Sequence, residues 1–142
     1  MTLALPTKKL LTLEAARFAM TACEAEAKKN GWNVVIAIVD EGGHGVLVQR
    51  LDATQWSSFE TALGKARAAV AFKRPTRLLE ESINNGRTAF LSIASGMAFM
   101  QGGVPIEVDG AIVGAIGVSG VKASDDETVA LAGVHALKAA LS

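Results

Sequence analysis

The chain has 142 residues, half of them apolar, with 14 basic residues set against 14 acidic ones. That length suffices for one hydrophobic core, and the balanced charge leaves no field to gather nucleic acid or anionic lipid. There is no Tyr to stack on bases, and no apolar run nears the roughly 18 residues that cross a bilayer, so neither a nucleic-acid nor a membrane partner is expected.

Met1 to Leu13 is broken by Pro6, Thr7, Lys8 and Lys9, too polar for a secretory leader. A helix is predicted from about Leu13 to Asn30, with Thr12 as N-cap and Gly31 as its stop. Leu13, Ala16, Met20, Cys23 and Ala27 form its apolar stripe, with Glu14, Arg17, Glu24 and Lys28 facing away. Cys23 is the sole cysteine, which excludes an internal disulfide and fits a reducing compartment, so the expected location is cytoplasmic.

Val34 to Val39 is a run rich in β-branched residues, suited to a central strand covered on both faces. After the turn Asp40-Glu41-Gly42-Gly43-His44-Gly45 the chain resumes as Val46 to Leu51, which makes an antiparallel hairpin. Trp56 to Lys73 reads as a second helix ending before Pro75, with Ala62, Ala66, Ala69 and Val70 as a small-residue inner face. A third helix spans about Thr76 to Asn85, and Thr88 to Ser95 reads as a further helical turn or two.

A second hairpin joins Val104 to Val108 and Ala111 to Ser119 through Asp109-Gly110, the pair favoured in type I′ turns. Gly114, Gly117 and Gly120 thin its second strand, so a helix, a ligand or another chain packs closely there. The last helix opens on Ser124-Asp125-Asp126-Glu127, read as a capping box, and runs to about Leu141, burying Val129, Ala132, Gly133, Ala136 and Ala140. Two antiparallel hairpins separated by helices predict an α+β domain over residues 1–142, with an antiparallel sheet and helices on its faces. The Ala- and Val-rich composition predicts an apolar subunit contact and hence a homo-oligomer.

Several residues carry candidate chemistry. His44, in a Gly-rich turn, suits a general acid, a base or a ligand. Asp40 and Glu41 end a buried strand, and Asp40 either orients His44 or pairs with Arg50 across the hairpin. Lys65, beside the small-residue seam, either snorkels outward or points into a pocket to hold a substrate carboxylate. Arg50 and Arg87 are candidate carboxylate clamps. Gly102 and Gly103 offer backbone N–H groups as an anion nest, or else a turn into a strand. Glu107 alternates with Asp109 along its strand as a candidate base, and no metal is predicted for want of ligands at known spacing. Cys23 and His135 read as structural, on or beside packing faces.

Together, Gly102-Gly103-Val104-Pro105-Ile106, Asp109-Gly110, Ile112 to Gly120 and Asp126-Glu127, with Val39 to His44 and Lys65-Ala66 upstream, resemble the GlcG/HbpS family of haem-binding-like proteins. That family is related to the C-terminal domain of PduO-type cobalamin adenosyltransferases. The resemblance implies a profilin-like layered domain, self-assembly and, in some members, haem or iron binding. A few relatives look like lyases on hydroxylamino-aromatic acids. The chain departs from the haem-binding members in having only Cys23 and Met20 on its first helix where they carry a histidine. It also lacks the leader and the Asp-x-x-Glu pairs of the secreted members.

The functional expectation is therefore a catabolic lyase or isomerase on a small acidic organic molecule, aromatic acids included, working by acid–base chemistry without an organic cofactor. His44, Lys65, Asp40 and Glu41 are its catalytic candidates, and Arg50, Arg87, Gly102, Gly103 and Glu107 its substrate-binding ones. The alternatives are a haem or corrinoid binder and an accessory protein of a catabolic pathway. Haem enters through the resemblance alone.

Overall fold

The computed structural model describes residues 1–141. Its elements are α1 (Leu13–Lys29), β1 (Val35–Asp40), β2 (Gly45–Arg50), α2 (Ser57–Phe72), α3 (Thr76–Asn84), a 3₁₀ segment (Thr88–Ile93), β3 (Gly103–Val108), β4 (Ala111–Ser119) and α4 (Ala123–Leu141). Both predicted hairpins form, and β1 pairs antiparallel with β4 to join them, giving the strand order β2-β1-β4-β3. The β3–β4 turn is tight because Asp109 (φ 52°) and Gly110 (φ 79°) both take positive φ, as a type I′ turn needs. Pro105, which has no N–H to donate, sits on edge strand β3.

Alternation along β1 and β4 sorts the core into two layers. Ile36, Ile38, Ile116 and Val118 face α1 and α4, while Val35, Ala37, Val39 and Ala115 face α2. Each fully buried Ile or Val stabilises the fold by about 1.5–3 kcal/mol relative to exposure. The glycine-thinned strand is explained by α2: a Cβ on Gly117 would lie 2.1 Å from the Ala62 carbonyl oxygen and 2.5 Å from the Ala66 nitrogen. The helix backbone rests directly on the strand. On the other layer Gly133 of α4 gives the same close approach, since a Cβ there would meet Cys23 Sγ at 2.4 Å.

Three expectations about faces need correction. In α1, Leu13 is exposed and Ala19 joins the buried stripe with Ala16, Met20, Cys23 and Ala27. The buried face of α4 is Asp126, Val129, Ala130, Gly133 and Leu137, whereas Ala132 and Ala136 are half-buried and Ala140 is exposed. Alanine nearly all round that helix sets no phase, and the larger Leu137 decides it. His135 is thereby exposed and lies on no packing face.

The predicted capping box does not form either. The helix starts at Ala123, and the N–H groups of Asp125 and Asp126 donate to the Lys122 carbonyl. By contrast, Thr12 caps α1 as predicted, accepting from the Ala15 N–H at 3.1 Å.

Candidate functional site

The end of the sheet where both hairpins turn gathers the most chemistry. Asp40 closes β1, and its Oδ1 accepts from the N–H groups of Gly42 (2.9 Å) and His44 (3.0 Å). The same oxygen lies 3.3 Å from His44 Nδ1, so Asp40 orients the imidazole. The His44 N–H, with help from the Gly42 N–H and the imidazole, holds the Asp40 carboxyl below its ordinary value of 3.8 against the cost of its partial burial. The His44 ring folds over Gly42, where a Cβ would stand 2.9 Å from Nδ1 and Cε1. The ring is otherwise in solvent, its side chain 82% exposed, and no group among the described residues bonds Nε2. Arg67 of α2 secures the turn from beneath, its Nε donating to the Gly43 carbonyl at 3.1 Å.

Beside this turn lies a cavity of about 470 Å³. Its walls are Glu41 from the first turn, Glu107, Gly110, Ala111 and Ile112 from the second hairpin, Val70 and Lys73 from the end of α2, and Lys8. Lys8 is ion-paired with Glu41, and Lys9 with Asp109. Among the described residues, neither Lys73 nor Glu107 has an ion-pair or side-chain hydrogen-bond partner. Two cations and two carboxylates thus line a space large enough for a small organic molecule.

Lys65 goes elsewhere. Only 3% of its side chain is exposed, and Nζ donates to the Val118 carbonyl (2.9 Å) and to Asp126 Oδ2 (3.1 Å). It neither snorkels outward nor lines an open pocket. Asp126 is fixed in turn by the Val121 N–H at 3.1 Å, which is why the carboxylate read as a helix cap turns inward. Burial is the dominant influence on both groups, lowering the Lys65 pKa and raising that of Asp126, against their mutual attraction. The two extra hydrogen bonds and the short separation favour the ion pair over two neutral groups.

Gly102 and Gly103 complete this buried corner. A Cβ on Gly102 would stand 2.8 Å from Lys65 Nζ, and one on Gly103 2.4 Å from the Lys65 carbonyl oxygen. Thr76 of α3 bonds Gly103 in both directions, accepting from its N–H at 2.8 Å. These glycines are packed against protein, with their backbone turned to the lysine.

The two arginines are also apart from His44. Arg50 pairs in register with Val35, at the opposite end of β1 from Asp40, roughly 17 Å along the strand. It lines a separate cleft of about 410 Å³ with Trp32, Lys28, Gln49 and Asp52. Arg87, beyond α3, is exposed and stacks over the Phe90 ring at 5.9 Å. Of the sequence candidates, then, Asp40, Glu41, His44 and Glu107 gather at the turns, while Lys65, Gly102 and Gly103 gather in the buried corner. Sequence reading missed Asp126, Arg67 and Lys73. Only Arg67 carried a signal, as a second cation one half-turn beyond Lys65.

Cofactor capacity is narrow. No group of three His, Cys, Asp or Glu that would hold a metal occurs among the described residues. Met20 and Cys23 of α1 point into the core, at 4% and 0% exposure, and burial pushes the Cys23 thiol up to about 12. Neither is available to an iron. No helix among the described residues is long and apolar enough to cross a membrane.

Residues 11–135 match the family described as haem degrading protein, HbpS-like. The chain belongs to the HbpS-like family. It is 42% identical over 113 residues to the protein GlcG of Escherichia coli K12, covering 80% of this chain and 84% of that one. The crystal structure of an HbpS double mutant from Streptomyces reticuli is similar at 36% identity and TM-score 0.84, over 92% of this chain and 89% of that one. A PduOC complex with haem is similar at 26% identity and TM-score 0.81, over 90% and 95% of the two chains. The α+β layered fold is therefore that of the family, and haem is the ligand of one structural neighbour.

Proposed function

We propose that this HbpS-like chain binds a small acidic organic molecule at the hairpin turns and acts on it as a lyase or isomerase. His44 moves the proton, and Asp40 holds the imidazole. The observation that carries this reading is the 3.3 Å contact between Asp40 and His44 Nδ1, which aims Nε2 outward beside a cavity lined by Lys8 and Lys73. A carboxylate on Nδ1 fixes the tautomer and stabilises the imidazolium that forms when Nε2 accepts a proton. A substrate carboxylate is held by Lys73, and Glu41 or Glu107 on the same walls handles the second proton. Return of the abstracted proton to another carbon completes an isomerisation; its delivery to a leaving group completes an elimination. Lys65 serves this site only by fixing α2 and the start of α4. A cytoplasmic location goes with the buried lone thiol.

The test is solvent-deuterium exchange into a panel of small hydroxy acids and aromatic acids, followed by NMR. His44→Ala is expected to slow exchange by about 10²–10⁴-fold, as loss of a general base does. If a compound turned over by the wild type exchanges equally fast with His44→Ala, the assignment is wrong.

Haem binding is the second reading, favoured by the similarity to the PduOC complex with haem. Here the residues fit poorly within one chain. His44 is exposed enough to ligate iron, but the cavity beside it has charged walls, and α1 offers no ligand. A Soret band that saturates near one haem per chain and vanishes in His44→Ala would establish this reading over the first.

A further inference from the structure

We infer that the ligand of the cavity at the hairpin turns is a zwitterion, an amino acid whose carboxylate meets Lys73 and whose ammonium meets Glu107. This rests on the reading of that cavity as the binding site, and it narrows the ligand from an organic acid to one that also carries a cation. The charges on the walls are of two kinds. Lys8 and Glu41 are paired with each other. Lys73 and Glu107 line the same space, yet neither has an ion-pair or side-chain hydrogen-bond partner among the described residues, and they do not pair with one another. A plain carboxylate would satisfy Lys73 and bring a like charge toward Glu107; a plain amine would do the reverse. A molecule with one charge of each sign satisfies both. Val70 and Ile112 give the walls an apolar part for its hydrocarbon portion. With Glu107 on the ammonium, the second proton falls to Glu41.

The backbone is irregular at both unpaired charges. Lys73 ends α2 in the left-handed region, at φ 57° and ψ 40°, where its N–H donates to the Ala69 carbonyl. Glycine takes such a helix stop without strain, so a lysine there adds a side chain at a conformational cost. Glu107 lies beside a bulge. Ile106 pairs with Gly114 but Glu107 pairs with Ile112, which leaves Val113 of β4 as an extra residue. Val113 packs into the layer of α1 and α4, and Ile112 into that of α2. The bulge thus brings Ile112 to the α2 side, opposite Glu107. Val104, Ile106 and Val108 of β3 pack into the other layer, so alternation turns Glu107 toward α2, the helix that Lys73 ends. Two irregularities from distant parts of the chain bring a cation and an anion without partners to one cavity.

A panel of α- and ω-amino acids is titrated calorimetrically into the full chain. The tightest is compared with its N-acetyl derivative, which lacks the cation, and its carboxamide, which lacks the anion. The amino acid is expected to bind at least about 10-fold tighter than either derivative, the worth of one charge-assisted contact. Glu107→Gln should weaken the amino acid by about 10-fold and leave the N-acetyl derivative unchanged, and Lys73→Gly should do the same with respect to the carboxamide. Lys73→Gly should also raise the thermal midpoint, because glycine relieves the left-handed strain; weaker binding by a more stable protein cannot come from misfolding. Binding of no amino acid, equal binding of the N-acetyl derivative by the wild type, or undiminished binding by either variant overturns the inference. Calorimetry needs no turnover, so this inference and the proton-transfer reading fail separately. His44-dependent deuterium exchange into amine-free acids alone would remove the zwitterion and keep the proton-transfer site. Amino-acid binding that needs both charges, with exchange indifferent to His44→Ala, would do the reverse.

Discussion

The two ends of the sheet hold similar ingredients in opposite settings. At the hairpin turns, Asp40 and His44 meet at the surface, and the imidazole is largely in solvent. At the other end, Lys65 and Asp126 meet with 3% of each side chain exposed. The first pair costs little to hold and can exchange protons with a ligand. The second is a structural tie between α2, β4 and α4, and it cannot reach a ligand without local unfolding. Proximity of an acid to a base is thus not enough to mark a site; access decides what the pair can do.

The sharpest way to break this contrast is Lys65→Ala. It leaves Asp126 buried without its cation, and a loss of about 3–5 kcal/mol is expected in urea unfolding. The double variant Lys65→Met/Asp126→Leu should recover much of that, because it removes both charges and refills the corner. Next comes Gly117→Ala, which forces α2 off β4; overpacking of this kind costs about 1–3 kcal/mol, read as a lowered thermal midpoint.

Asp40→Asn should have a smaller effect that depends on pH. The folded state holds this carboxyl below its unfolded value, so its contribution is present above about pH 4 and fades as the pH falls through the folded pKa. Urea midpoints of wild type and variant should therefore differ at pH 7 and converge at the acid end; a constant gap would remove the orienting role of the carboxylate. His44→Ala should change stability least, within about 0.5 kcal/mol, because the ring is a surface group. A large loss there would mean that the imidazole is a structural tie like Lys65, and the contrast between the two ends would fail.

Much of the fold is legible in the sequence because its signals are local. The β-branched run of β1, the Asp109-Gly110 turn and the Thr12 cap each act within a few residues. The site is less legible because its geometry is not local. The fate of Lys65 is set by the absence of a side chain at Gly102, far along the chain, and by the inward turn of Asp126, whose capping role gave a sufficient account from sequence alone. Arg50 is an instructive error of reach: it ends β2, and a residue at the far end of a hairpin arm cannot meet a group in the turn. The face of α4 was ambiguous because alanines on every side offer no contrast in size.

The single thiol of the chain, at the contact between α1 and α4, has a practical consequence. Its thiol is held in the unreactive protonated form and sealed against Gly133, so an alkylating reagent can reach it only when those helices part. The rate of modification of Cys23 under native conditions therefore times the opening of this layer. The molecule carries its own clock for breathing motions, with no introduced label.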